Sequence, residues 1–194
     1  MLTDPTWQDG WLNLARPVPS PNFGPRPTRM PIEMVVIHSI SLPPGRYGGN
    51  EVELLFTNQL DWSAHPYFET IRGAEVSAHF YIRRDGELVQ FVSANDRAWH
   101  AGQSTWQGRD NCNDYSIGIE LEGLEDFAFE PQQYATLASL IQAIQQAYPI
   151  TTVVGHEHIA PGRKKDPGSA FDWGHLKTVL AADAHLIPAL PPRA

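Results

Sequence analysis

The sequence predicts an α/β fold, a single domain with a central mixed β-sheet flanked by helices, and three observations predict it. Short apolar, β-branched runs recur at 34–38 (MVVIH) and 152–156 (TVVGH). The segment 77–92 has the form of a hairpin around Asp85-Gly86. One long segment, 131–148, carries apolar residues at helical spacing.

Taken in order, residues 1–31 are rich in Pro, Gly and Asn and read as an irregular arm packed on the domain. Residues 34–38 form a buried strand that ends abruptly in polar residues, and the Pro- and Gly-rich stretch after it is a loop. A short helix is expected over 51–60. In 77–83, Ala78, Phe80 and Ile82 share one face and His79 and Tyr81 the other. Asp85-Gly86 supplies the turn, since both residues tolerate positive φ, and 87–92 returns. A second alternation runs through 115–121, with Ser116, Gly118 and Glu120 on one side. Pro131 opens the long helix and Pro149 closes it. A strand over 152–156 and a helix over 172–182 follow. The domain is expected over 32–186, with a loose tail at 187–194.

Composition limits the function. The chain has 194 residues, 42 % of them hydrophobic, enough for one domain with one core. A net charge of −8 without a Lys/Arg cluster argues against a nucleic-acid partner. No window approaches the roughly 18 apolar residues that span a bilayer, so no membrane role is expected. The single cysteine, Cys112, excludes an intramolecular disulfide and a Cys-rich zinc cluster, and it suits a reducing compartment. The first residues carry no basic, apolar leader. The expectation is a cytoplasmic monomer.

Three features carry chemistry. His38 and His156 each stand at the end of an apolar run, and Asp166 lies in the loop after the second. Two imidazoles and a carboxylate are the ligands of a hydrolytic zinc site with one open position. On spacing alone His158, His79, His65 and His100 compete for these places. Glu120 has only small companions on its strand face, which leaves room for a ligand above the sheet. There it could take a proton from an activated water. Otherwise it is a solvated strand carboxylate. Lys164 lies two positions before Asp166, so in an extended loop both point the same way. It is either an oxyanion stabiliser or an exposed charge among Arg163, Lys164 and Lys165.

The segments VVIHSISLPPGRYGG, VSAHFYIRRDGELVQFV, RAWHAG, QGRDNCNDYSIGIELEG and GHEHIAPGRKKDPGSAFDW resemble, in order and over nearly the whole chain, the N-acetylmuramoyl-L-alanine amidases. This zinc amidase family includes the peptidoglycan recognition proteins and the phage lysozyme-like amidases. The resemblance implies one zinc ion per chain on His38, His156 and Asp166, with Glu120 and Lys164 as catalytic residues. It implies hydrolysis of the amide between the lactyl group of (1,6-anhydro-)N-acetylmuramic acid and L-alanine, in small muropeptides released during peptidoglycan recycling. It also implies substrate contacts at Trp99, Ala98 and Leu121. Two positions depart from the common pattern. Ser39 stands where relatives often carry a substrate-contacting asparagine, and Asn111 where they often carry an arginine for the stem-peptide carboxylate. Family members that only bind peptidoglycan have lost a ligand, whereas this chain retains all three.

Overall fold

A computed structural model describes residues 4–190. Six strands form the main sheet: β1 (Arg16–Pro17), β2 (Met34–Ile40), β3 (Phe80–Ile82), β4 (Leu88–Gln90), β5 (Ser116–Glu122) and β6 (Thr152–Gly155), in the order β6-β2-β5-β3-β4-β1. β6, β2, β5 and β3 run parallel, and β3 and β4 form the antiparallel hairpin, Tyr81 opposite Val89. Asp85-Gly86 makes the turn as expected, with Gly86 at φ +87°.

The sheet is mixed because only the hairpin strands are joined tightly. The parallel strands need long crossovers, and helices supply two of them: α1 (Glu51–Phe56) and α2 (Pro66–Thr70) lie between β2 and β3, and α3 (Pro131–Ala147) between β5 and β6, while α4 (His156–Ile159) and α5 (Trp173–Leu180) follow the last strand. The strands are buried on both faces. Val35, Ile37, Phe80, Ile82, Ile117, Ile119, Leu121 and Val153 point to one side, where Leu137, Ile141 and Ile144 of α3 and Leu176 and Leu180 of α5 cover them. Burying one such side chain fully contributes about 1.5–3 kcal/mol, so this layer anchors the fold. On the other side, α1 and α2 cover Tyr81 and Val89 with Val52, Leu55, Phe56 and Phe68. α3 begins where Pro131 has no N–H to leave unpaired, and Glu130 and Gln133 close a capping box ahead of it.

Several boundaries differ from expectation. α1 stops at Phe56, since Asn58 adopts φ +59° and turns the chain out of the helix. The strand expected over 77–83 is regular only at Phe80–Ile82, and Ala78 joins the cluster of Tyr81 instead of sharing a face with Phe80. β2 continues two residues past His38, and β6 ends at Gly155, so His156 opens α4. In the last helix Asp172 is the N-cap, its side chain accepting from His175 N–H at 2.8 Å. After Leu180 the chain tightens into a 3₁₀ turn, Ala181–Leu186.

The arm is more ordered than its composition suggests. Besides β1 it contributes the pair Trp7–Gln8 with Trp11–Leu12, and Phe23–Gly24 pairs with Arg97–Ala98. The half-buried Arg26 guanidinium donates to the carbonyls of Ala94, Asn113, Asp114 and Ser116 at 2.9–3.1 Å, clasping the arm to the loops behind β5. The tail is likewise not loose at its start: Ile187 is buried and Leu190 packs against the core. The rest of the expected tail, 191–194, lies outside the described residues.

Candidate metal centre

Strand register builds the centre. β2 and β5 are parallel with Glu120 opposite His38, and β5 and β3 place Tyr81 beside Glu120 on its other flank. Residues opposite one another in parallel strands turn to the same face. β6 runs alongside β2 with Gly155 opposite Ile37, so the next residue, His156, arrives level with His38. Arg163 and Lys164 donate their backbone N–H to Ala160 O, which turns the chain after α4 back on itself, and Asp166 O accepts from Glu157 N–H at 2.8 Å. The carboxylate thus folds over the start of α4.

Three atoms converge as a result. His38 Nδ1 and His156 Nδ1 are 3.0 Å apart, and Asp166 Oδ2 lies 2.9 Å from the first and 3.0 Å from the second. All three residues are buried. Zinc bonds of about 2.0–2.1 Å to nitrogen and oxygen separate tetrahedral ligands by roughly 3.3 Å, close to these spacings. Protons alone serve such a triangle poorly, because each imidazole nitrogen has one in-plane direction and all three groups aim at a common focus. A cation at that focus satisfies all three, and the donor set of two imidazoles and one carboxylate suits zinc.

The electrostatics agree. Burial lowers the pKa of His38 to about 4, with His156 adding to the effect against the pull of Asp166, so the imidazole is neutral and free to ligate near pH 7. Burial pushes the Asp166 carboxyl up, but the facing His156 and His38 outweigh it and hold the group well below the usual carboxylate range. Glu120 moves the other way: burial first, then the charge of Asp166, push its carboxyl well above its ordinary value, while Lys164 opposes them. Glu120 Oε2 is buried and has no hydrogen-bond partner among the described residues. Lys164 is exposed, yet its charge acts on both Glu120 and His38.

The expected substrate contacts fare unevenly. Trp99 is half-buried, its backbone locked to Ser77 by N–H to Oγ at 3.0 Å and by Ser77 N–H to its carbonyl at 3.2 Å. Asn111 is exposed in a left-handed conformation at φ +56°. Leu121 is fully buried in the layer under α3, because strand alternation turns it away from Glu120. Ser39, opposite Leu121, likewise turns away from His38, and its Oγ has no partner among the described residues. Ala98 is fully buried in the cluster around Tyr81. Leu121 and Ser39 thus lie on the face opposite Glu120 and His38.

Of the competing histidines, His158 accepts Gly155 N–H on Nδ1 at 2.9 Å, and His65 caps α2. His79 accepts Gly118 N–H on Nδ1 at 3.0 Å. His100 competed for a ligand place on spacing, but its place in the structure is behind His38, its Nδ1 2.9 Å from His38 Nε2. The room above Gly118 that was read as ligand space holds this ring, and a Cβ at Gly118 would fall 2.4 Å from His100 Cγ. A glycine in mid-strand on the face of Glu120 was the available signal.

The fold and the centre together define a class, single α/β domains with a mixed sheet and one buried His-His-Asp group able to hold a metal ion. Comparison makes it particular: the chain belongs to the N-acetylmuramoyl-L-alanine amidase family, whose model matches residues 28–169. It is 49 % identical over 179 residues to the 1,6-anhydro-N-acetylmuramyl-L-alanine amidase AmpD of Citrobacter freundii, covering 91 % of this chain and 96 % of that protein. It is 48 % identical over 178 residues to AmpD of Escherichia coli K12, covering 91 % and 97 %. A crystal structure of a selenomethionine AmpD derivative superposes with a TM-score of 0.88 at 49 % identity, over 90 % of this chain and 99 % of that one. The Escherichia coli amidase AmiD, solved with anhydro-N-acetylmuramic acid-L-Ala-D-γ-Glu-L-Lys, superposes at 0.55 and 28 % identity, over 90 % and 65 %. At 19 % identity, the Drosophila peptidoglycan recognition protein SD shares the fold.

Proposed function

We propose that this chain hydrolyses the amide joining the lactyl group of (1,6-anhydro-)N-acetylmuramic acid to L-alanine in small muropeptides, as a zinc enzyme of peptidoglycan recycling. The observation that carries the reading is the meeting of His38 Nδ1, His156 Nδ1 and Asp166 Oδ2 within 3.0 Å of one another, with Glu120 opposite His38 in register. The names of the AmpD relatives and the muropeptide bound to AmiD support the substrate.

A zinc ion held by these three ligands supplies Lewis-acid activation of water and polarisation of a carbonyl. Glu120 accepts the proton of the attacking water and returns it to the departing alanine nitrogen. Its unpaired Oε2 and raised carboxyl pKa suit a group that must hold a proton between two steps. Lys164, whose charge already reaches Glu120, neutralises the oxyanion that develops on the lactyl carbonyl. Trp99 offers an aromatic face to the apolar side of the bicyclic sugar, and Asn111, in the place of an arginine, gives the stem-peptide carboxylate a neutral contact instead of a charged one.

We assign the catalytic unit to residues 32–186, clasped by the arm 1–31 through Arg26. A cytoplasmic monomer with one zinc ion fits the single, buried cysteine. Incubation of zinc-loaded protein with anhydromuramoyl-tripeptide and, separately, with intact sacculi, followed by mass analysis, tests the reading. Free tripeptide and anhydromuramic acid from the first substrate support it. No release from either substrate would overturn it, and release from sacculi alone would move the enzyme to the cell wall.

A further inference from the structure

Residues 100 and 101 stand behind both histidine ligands. His38 Nε2 meets His100 Nδ1 at 2.9 Å, and His156 Nε2 meets the carbonyl of the next residue, Ala101, at 3.0 Å. The segment is itself held from two sides. Asn113 Oδ1 accepts the backbone N–H of His100 at 3.2 Å and of Ala101 at 2.8 Å, and Arg163 donates to Ala101 O at 2.8 Å. From below, the sheet leaves room for the His100 ring only because residue 118 has no side chain.

The direction of each hydrogen bond follows from its neighbour. Ser116 Oγ donates to Cys112 O at 2.6 Å, so toward His100 it accepts. His100 Nε2, 3.3 Å away, therefore carries the proton, and His100 Nδ1 presents a lone pair. That lone pair accepts the Nε2–H of His38 and leaves the Nδ1 lone pair for a cation shared with Asp166. The Ala101 carbonyl can only accept, so it fixes His156 in the same tautomer. A ligand histidine whose outer N–H is held in this way keeps both its tautomer and its ring orientation.

We infer that His100 is a positioning residue: through Nδ1 it holds His38 in the tautomer that turns the Nδ1 lone pair to the metal, and Gly118 is glycine to admit its ring. The inference rests on the zinc reading above, so its test includes an arm without metal. Zinc affinity is measured by chelator competition for the wild type, His100→Ala, His100→Asn, Gly118→Ala and the double variant H100A/G118A. Long-range ¹H–¹⁵N spectra of the metal-free proteins report the imidazole tautomers.

His100→Ala is expected to bind zinc about 10–100-fold more weakly. His100→Asn, whose Oδ1 takes the place of Nδ1, recovers most of the affinity. Gly118→Ala weakens zinc as His100→Ala does, since its methyl must displace the ring, and the double variant is no weaker than His100→Ala alone. In the metal-free wild type His38 Nε2 carries a proton donated to His100, whether or not a further proton lies between Nδ1 and Asp166, and in His100→Ala the occupancy of Nε2 falls. Unchanged affinity in His100→Ala, or a metal-free wild type with His38 Nε2 unprotonated, would overturn the inference. A wild type that binds no zinc would sink the zinc reading, while the tautomer of His38 would still decide the role of His100.

Discussion

Glu120 and His38 face each other across β5 and β2 in parallel register, on the same side of the sheet. Their separation is set by the spacing of neighbouring strands, about 4.8 Å, and not by a flexible loop. The carboxylate therefore stands at a fixed height beside His38, its Oε2 without a hydrogen-bond partner among the described residues.

Glu120→Gln keeps the shape of the side chain and removes its basicity. Zinc content should stay at one per chain while kcat falls by about 10²–10⁴-fold. Turnover near the wild-type level would remove Glu120 from proton transfer.

Lys164→Ala leaves the three ligands in place and withdraws a positive charge from the oxyanion. Loss of one such interaction lowers kcat by about 10²–10³-fold, with a smaller change in KM. A change confined to KM would make the lysine a binding residue.

Asp166→Ala leaves two imidazole nitrogens 3.0 Å apart with no anion between them. Zinc should raise the melting temperature of the wild type, because only the folded chain presents the three ligands together. In the variant that increment should shrink or vanish. An equal zinc-induced shift in both proteins would exclude Asp166 as a ligand.

Acid should destabilise the metal-free protein before its carboxylates titrate. Burial holds the pKa of His38 at about 4, and burial aided by the charge of Arg26 holds that of His79 at about 3, against about 6.5 in the unfolded chain. Both folded values are depressed, so the unfolded state binds more protons in this window. The stability is present above pH 6.5 and is lost as the pH falls toward 4, by on the order of 1 kcal/mol per unit per histidine. Urea midpoints at pH 7, 6 and 5 measure this, and a flat series would contradict the buried neutral imidazoles.

Much of the centre was legible because polar residues interrupt apolar runs. His38 in VVIHS and His156 in VVGHE interrupt apolar runs, and Glu120 in SIGIELE stands on a strand face whose preceding members are only Ser116 and Gly118. The contacts that the resemblance implies at Ser39, Leu121 and Ala98 had no signal of their own in the residues: Ser39 and Leu121 alternate to the face opposite His38 and Glu120, and Ala98 lies in the cluster around Tyr81. The place of His100 was hidden for another reason. Its partners Ser116 and Gly118 lie on a strand 16 and 18 positions away, and only folded register brings them under its ring. The short strands of the arm were not legible among its prolines, because two of their pairings, Arg16–Pro17 with Val89–Gln90 and Phe23–Gly24 with Arg97–Ala98, are with residues distant in the chain.

The alternation along β5 makes that strand intolerant of sliding. Each step between Gly118 and Glu122 exchanges a chemical surface for a greasy one. An inserted or deleted residue upstream that shifted β5 by one place would drive the Glu120 carboxylate beneath α3 and offer Leu121 to the cation. Length changes in this protein should therefore be found in its loops, with the spacing from Asn113 to Glu122 kept intact.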